Sequence, residues 1–246
     1  MLNWWLPENV STYGADIDWL FHLIYYITGV TFVLVAVAMI WFLIRYRARP
    51  GQKAKFTHGN TTLEIVWTVV PALILVVLTF LSVPAWSRIK MHIPDSDVQI
   101  RVTAKQFNWE VTYPGRDGKF DTDDDKTFDN EIHFPVDKPI VIHLRSKDVI
   151  HSFFVPSFRF KQDAVPGHDI PQWFEITKPG RYEVPCAELC GFGHSGMRGW
   201  AYAHTPEDYA KWLAENVNTP AASGEGQPAA TAQPAAGTRA PGKGKK

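Results

Sequence analysis

The sequence predicts a two-helix transmembrane hairpin followed by an all-β sandwich or barrel with a short C-terminal helix. Three observations carry that expectation. Two long runs near the start are apolar and almost free of charge, the middle of the chain breaks into short alternating runs separated by turn residues, and a helix-start signal follows the last of them. With 246 residues the chain has room for one sizeable domain beside the membrane segments. Its formal net charge is zero, so no basic field points to nucleic acid. Ten Trp and fifteen Phe exceed what a soluble enzyme of this size needs and suggest anchoring in membrane lipid.

The first run, Trp19 to Ile44, lies between Asp18 and Arg45 and holds His22 as its only His, Lys, Arg, Asp or Glu. The second, Ile65 to Ser87, lies between Glu64 and Arg88 and holds none. Each exceeds the roughly 20 residues that cross about 30 Å of hydrocarbon as a helix. Core helices rarely run so long without a polar face. A signal peptide needs a basic leading region, whereas residues 1–18 carry Glu8, Asp16 and Asp18 and no Lys or Arg. Helices are therefore expected over about 19–44 and 65–87, in a hairpin covering 19–90 with a loop over 45–64. Arg45, Arg47, Arg49, Lys53 and Lys55 crowd that loop. The positive-inside rule puts it in the cytoplasm and leaves segment 1–18, the later domain and both termini outside. Pro71 removes a backbone hydrogen bond inside the second helix, which a neighbouring helix usually has to satisfy, and so hints at a partner subunit.

From about Val98 the pattern alternates. Strands are expected at Val98–Ala104, Phe107–Tyr113, Asn130–Phe134, Ile140–Leu144, Phe153–Val155, Trp173–Ile176, Arg181–Val184 and Gly199–Ala203. Pro114-Gly115, Asp117-Gly118 and Pro179-Gly180 punctuate them, and many short strands between turns read as a sandwich or barrel over 95–216. Thr205-Pro206-Glu207-Asp208 puts an N-cap before a proline at the first helical position, opening a helix to about Asn216. Residues 217–246 are Ala, Pro, Gly and polar and end in Lys243, Lys245 and Lys246. Such a tail buries too little apolar surface to fold and is expected to be disordered.

The chemistry concentrates in Cys186-Ala-Glu-Leu-Cys-Gly-Phe-Gly-His-Ser-Gly-Met197, which holds thiol, imidazole and thioether donors within one short loop. Soft and borderline donors of this kind favour copper over hard cations. Gly191, Gly193 and Gly196 let the backbone fold tightly around a metal. Two cysteines, with no others in the chain, could bridge two coppers; a disulfide, a zinc site or two inert thiols are the alternatives. A disulfide leaves His194 and Met197 without a role, and structural zinc prefers Cys and His without Met. No C-x-x-C-H is present, so no covalently attached haem is expected. A further ligand should come from a second loop. His151, in Asp148-Val-Ile-His-Ser-Phe, stands at the start of a strand-like run and is the choice over His92, His133, His143, His168 and His204.

These motifs resemble subunit II of haem–copper cytochrome c oxidases. The resemblance rests on Cys186-x-Glu-Leu-Cys-Gly-x-x-His-x-x-Met197, Asp148-Val-x-His-Ser-Phe and Glu64-x-x-Trp-Thr-x-x-Pro71, and spans about residues 15–215. It implies a cupredoxin-like domain with a dinuclear CuA centre, in which Cys186 and Cys190 bridge two coppers. His151 and Met197 would complete one copper, and His194 with the backbone carbonyl of Glu188 the other. The Glu188 side chain would face subunit I, where the family uses it as a Mg²⁺ ligand. Glu64 matches the entrance of a proton pathway, or else is a carboxylate at a helix end. The chain would take single electrons from a cytochrome c or another small redox donor and pass them to haem in subunit I, where oxygen is reduced to water with proton pumping, in a complex that also includes subunit III. With its low-complexity extension, the chain fits a bacterial cytoplasmic membrane, with the copper domain on the periplasmic side.

Two features depart from the family pattern. The family has Gln-Trp-x-Trp with the first Trp as electron entrance; here Gln106-Phe107-Asn108-Trp109 puts Phe107 in that place and Trp109 second. The loop Asp117 to Asp125, with Asp121, Asp123, Asp124 and Asp125, could steer a basic donor, bind Ca²⁺ without the bidentate Glu of an EF-hand, or be a solvated hairpin loop. Quinol oxidase subunits share the architecture without copper ligands, thioredoxin-like copper chaperones have a single membrane anchor, and the CuA domain of nitrous oxide reductase is attached to a large propeller for which this chain has no room.

Overall fold

Helix α1 spans Gly14–Arg45 and helix α2 spans Thr61–Trp86 in the computed structural model, which describes residues 6–53 and 56–218. Both are long and apolar enough to cross a membrane, and no residue of α2 is buried within the chain. Each starts earlier than its apolar run. Below Trp19, α1 continues through a polar first turn in which Asp16 favours the positive end of the helix dipole. The start of α2 is set by Asn60, whose side chain accepts the Leu63 N–H at 3.2 Å. Beyond Trp86 the chain makes a π-helical turn, Ser87–Met91, before entering the β-domain.

Ten strands follow: β1 Val98–Lys105, β2 Asn108–Tyr113, β3 Lys126–Asp129, β4 Glu131–Pro135, β5 Pro139–Ser146, β6 His151–Val155, β7 Phe160–Ala164, β8 Ile170–Glu175, β9 Gly180–Pro185 and β10 Arg198–His204. They form a five-stranded sheet in the order β3-β2-β1-β5-β8, a three-stranded sheet β4-β10-β9, and the pair β6-β7. Strands β3 and β7 are additions to the expected set. The β7 sequence Phe160-Lys-Gln-Asp-Ala164 is polar in its middle because the strand pairs only with β6, at an edge. Inward side chains from the facing sheets make one core, with Trp109, Phe134, Phe153, Phe158, Phe174, Ile142 and Leu144 fully buried. Each contributes about 1.5–3 kcal/mol by leaving water.

The β-domain is fastened to the hairpin at several points. Val10 donates to Ser157 O at 3.0 Å, Thr12 to Glu175 O at 3.1 Å, and Thr177 donates back to Val10 O at 2.9 Å. Arg159, in a left-handed conformation at φ 54°, grips Asp18 of α1 through Nε at 2.6 Å and Nη2 at 3.2 Å. Trp173 Nε1 donates to Ile89 O at 3.1 Å.

Helix α3, Pro206–Asn216, starts at the expected cap: Thr205 accepts the Asp208 N–H at 3.2 Å. It covers β4 and β10 with Trp212, which stacks on His133 at 4.2 Å; Tyr202 also stacks on His133, at 4.6 Å. The His133 and His204 rings face each other through Nδ1 and Nε2 at 2.9 Å. Nearly all of the Ala/Pro/Gly-rich segment expected to be disordered lies outside the described residues.

Burial, and then the neighbouring His204, bring the His133 pKa down to about 4 from 6.5. Between those values the unfolded chain binds a proton that the folded chain refuses, so stability is complete above pH 6.5 and falls as the pH drops toward 4. Thermal unfolding of the full chain in detergent should show a midpoint that decreases over this window. His133→Phe, which keeps the stack and cannot take a proton, should flatten the decrease; an unchanged slope would assign it to other groups.

Candidate metal centre

Three loops meet at one end of the sandwich because β1 and β5 run parallel in register, with Ala104 opposite Ser146, so their C-terminal ends lie side by side. The β1–β2 turn brings Gln106 and Phe107, the β5–β6 loop brings Asp148 and then His151, and the β9–β10 loop brings Cys186 to Met197. The last is pinned at its base. Cys186 N–H donates to Met197 O at 3.1 Å, Ala187 N–H to Ser152 O at 3.0 Å, and Phe153 bridges to Cys186 across the sheet gap. A single turn of 3₁₀ helix, His194–Gly196, then folds the loop back over its own start.

The donors converge. Cys186 and Cys190 are free, buried thiols with Sγ atoms 3.9 Å apart. His151 Nδ1 lies 3.9 Å from Cys186 Sγ, and Glu188 O lies 3.3 Å from it. His194 Nδ1 is 3.5 Å and Met197 Sδ 3.9 Å from Cys190 Sγ. His151 is fully buried and Met197 is 1% exposed, so the cluster is closed to water from the side of the core. Two thiolate–metal bonds of about 2.3 Å span more than the sulfur separation, so both sulfurs can reach a common ion. Among the described residues, His151, Cys186 and Cys190 form the one group of three His, Cys, Asp or Glu donors close enough to share a metal. Burial and the adjacent Cys186 push the Cys190 thiol up to about 11, so a metal that binds there must displace a proton.

The other histidines are engaged elsewhere or lie in other loops. His133 pairs with His204, His143 with Gln99 and Asp169, His92 Nδ1 with Ser87 O, and His168 sits in the β7–β8 loop. What selects His151 is Asp148, whose Oδ1 holds His151 Nε2 at 2.8 Å and leaves Nδ1 facing the sulfurs. Burial works to raise the Asp148 carboxyl, but hydrogen bonds from His151 and from the Gln106 and Val149 N–H groups prevail and hold it below the usual range. A carboxylate three residues before a candidate ligand was the available signal for this role. Gln106 was also missed as a positioning residue: its side-chain amide donates to Cys190 O at 2.6 Å.

Family models for the transmembrane domain and the periplasmic domain of cytochrome c oxidase subunit II match residues 2–85 and 116–200. The cytochrome c oxidase subunit 2 of Thermostichus vulcanus is 33% identical over 265 residues, covering 86% of this chain and 78% of the relative. The chain belongs to the cytochrome c oxidase subunit II family. A probable cytochrome c oxidase subunit 2 of Rickettsia bellii is 37% identical, with 81% of this chain and 78% of the relative covered. The solved periplasmic domain of subunit II of cytochrome oxidase from Bradyrhizobium japonicum is 32% identical with a TM-score of 0.45, covering 51% of this chain and 96% of that one. Subunit II proteins are parts of a haem–copper oxidase, so this chain is a membrane-bound component of an enzyme.

Within this family frame the remaining expected residues fall in distinct places. Phe107 is 37% exposed and lies on the donor loop, where a Cβ at Gly193 would meet its Cδ2 at 2.4 Å. Trp109 is 1% exposed, inside the sandwich, edge-on to His151 with ring centroids 6.2 Å apart. Glu64 is exposed in the first turn of α2, at the other end of that helix from the β-domain. The acidic loop is distant from the donors: Arg101, which binds Asp121 at 2.6 and 2.9 Å, is four residues down β1 from Lys105, about 13 Å along the strand. Arg101 holds the Asp121 carboxyl below the usual range. Asp124 accepts from Arg116 N–H at 2.7 Å, Asp125 accepts from Asp121 N–H at 2.8 Å, and Asp123 is exposed.

Loss of a partner that orients a ligating histidine typically costs 10–100-fold in metal affinity. Asp148→Asn should therefore keep the fold and weaken copper binding by about that factor. Copper titration of the purified full chain checks this, and an unchanged affinity would remove Asp148 from its positioning role.

Proposed function

We propose that this chain is the CuA-bearing subunit of its oxidase. In this reading it accepts single electrons from a cytochrome c or another small redox donor and passes them to haem in subunit I, where oxygen is reduced to water with proton pumping. The observation that carries the reading is the pair of buried thiols 3.9 Å apart, each with an imidazole nitrogen beside it and a thioether closing the loop. Thiolate, imidazole and thioether together are a copper donor set rather than one for Mg²⁺, Ca²⁺ or structural zinc. Cys186 and Cys190 would bridge the two ions, with His151, Met197, His194 and the Glu188 carbonyl as the outer ligands. When bound, a copper pair that shares one electron supplies one-electron relay with little change in bond lengths.

The chain's own residues do the rest. Loops mounted on the two sheets hold the donors in one arrangement in both redox states. Asp148 keeps His151 from rotating, and the buried Met197 and Trp109 keep water out. Phe107, partly exposed and in contact with the donor loop, offers the point where a donor's haem edge could approach, with Trp109 behind it against His151. The exposed Glu188 carboxylate is free to take part in a Mg²⁺ site shared with subunit I. The basic loop after α1 argues for a cytoplasmic 46–60 segment and a periplasmic copper domain in a bacterial inner membrane. That orientation puts Glu64 at the cytoplasmic surface, where a proton path would begin. The self-bonded acidic loop, about 13 Å down the sheet, serves better as a solvated hairpin than as the main docking face for the donor. Subunit III would complete the complex.

Met197→Leu conserves volume, so the fold should lose less than about 1.5 kcal/mol. In the assembled oxidase it should retain copper, shift the midpoint potential of the centre and slow cytochrome c oxidation severalfold. Unaltered potential and turnover would exclude Met197 as a ligand.

A further inference from the structure

Where the hairpin meets the β-domain, the start of α1, the end of α2 and the β6–β7 turn enclose a crevice of about 360 Å³. Leu20, Val83 and Trp86 form its apolar wall, while Lys90, Arg159 and Lys161 stand along it from the β-domain side. No Asp or Glu lines it. The cations are unequally balanced. Arg159 is neutralised by Asp18 at 2.6 Å and Lys161 is paired with Asp163 at 3.0 Å. Lys90 instead donates to two neutral amide oxygens, Gln162 Oε1 at 2.9 Å and Gln172 Oε1 at 2.8 Å, and lies over the Phe160 ring. Among the described residues no carboxylate lies within ion-pair distance of it, so one positive charge is left at the crevice.

The depth of this charge is set by the sequence. The apolar run of α2 ends at Ser87, and Arg88 and Lys90 are the first cations after it, at the level where lipid phosphates lie. The wall below them, Leu20 and Val83, belongs to the two apolar runs of the hairpin. We propose that this crevice binds one anionic phospholipid, with its phosphodiester between Lys90 and Lys161 and an acyl chain along Leu20 and Val83. One phosphodiester matches the single unbalanced charge. A zwitterionic headgroup carries no net charge to match it, and a free phosphate would leave the apolar wall unfilled. Such a lipid touches α1, α2 and the β-domain together, so it stabilises the assembled pose by binding the folded form alone.

The test is native mass spectrometry of the full chain in an uncharged detergent, with phosphatidylglycerol, phosphatidylcholine or inorganic phosphate added. One phosphatidylglycerol should be retained about tenfold more tightly than phosphatidylcholine, and inorganic phosphate should not displace it. Lys161→Gln, whose ammonium is half exposed and supports no other element, should weaken retention by about the same factor. Lys90→Gln should do so more strongly, though it also loosens β7 and β8. Lys126→Gln, on β3, should change nothing. Equal retention of the two lipids, wild-type binding by Lys161→Gln, or displacement by inorganic phosphate would each overturn the proposal.

Discussion

Asp148 accepts hydrogen bonds from three sides: His151 Nε2 at 2.8 Å, Gln106 N–H at 2.7 Å and Val149 N–H at 2.7 Å. Through Gln106, whose side chain donates to Cys190 O, the same carboxylate also governs the donor loop. Three segments far apart in sequence are thereby fixed against one another. The imidazole has one ring nitrogen committed to the carboxylate, so the other is directed at the sulfurs. The arrangement tolerates a buried histidine and two buried thiols because His151 has Asp148 as its partner and the thiols lie against the Glu188 carbonyl, the imidazoles and each other.

A subunit of a membrane-bound oxidase also needs its β-domain in a fixed place relative to its membrane helices. Here the N-terminal segment pairs with the end of β8 and the turn after β6, and Arg159 reaches back to Asp18 on α1. Both partners of that ion pair are largely buried. Breaking such a pair by removing one member costs about 3–5 kcal/mol, since the other charge is left without compensation. The hairpin is thus not a loose tether but one wall of the structure that the β-domain rests on.

Much of the fold was legible from periodicity. The two apolar runs became α1 and α2, and strands such as β2, with alternate residues buried, followed the two-residue period. What escaped were features decided by partners. Strand β7 is polar because it lies at an edge, and the start of α2 depends on the Asn60 cap rather than on the apolar run. The soft donors of the β9–β10 loop were evident because thiol, imidazole and thioether rarely crowd so closely. The sequence singled out His151 by its place at the start of a strand-like run, and the structure adds what holds its ring, the Asp148 carboxylate at 2.8 Å. Trp109 and the acidic loop show the same limit. The tryptophan is turned into the core by strand alternation, and Asp121, Asp124 and Asp125 are engaged by Arg101 and by the loop's own N–H groups.

In the proposed function Cys186 and Cys190 hold two coppers sharing one unpaired electron. Electron paramagnetic resonance of the full chain, purified in detergent and loaded with copper, tests it most directly. A multiline spectrum from one electron spread over both nuclei, lost on Cys186→Ser, is the predicted result. A four-line spectrum of a single copper, or a chain that takes up no copper, would contradict it.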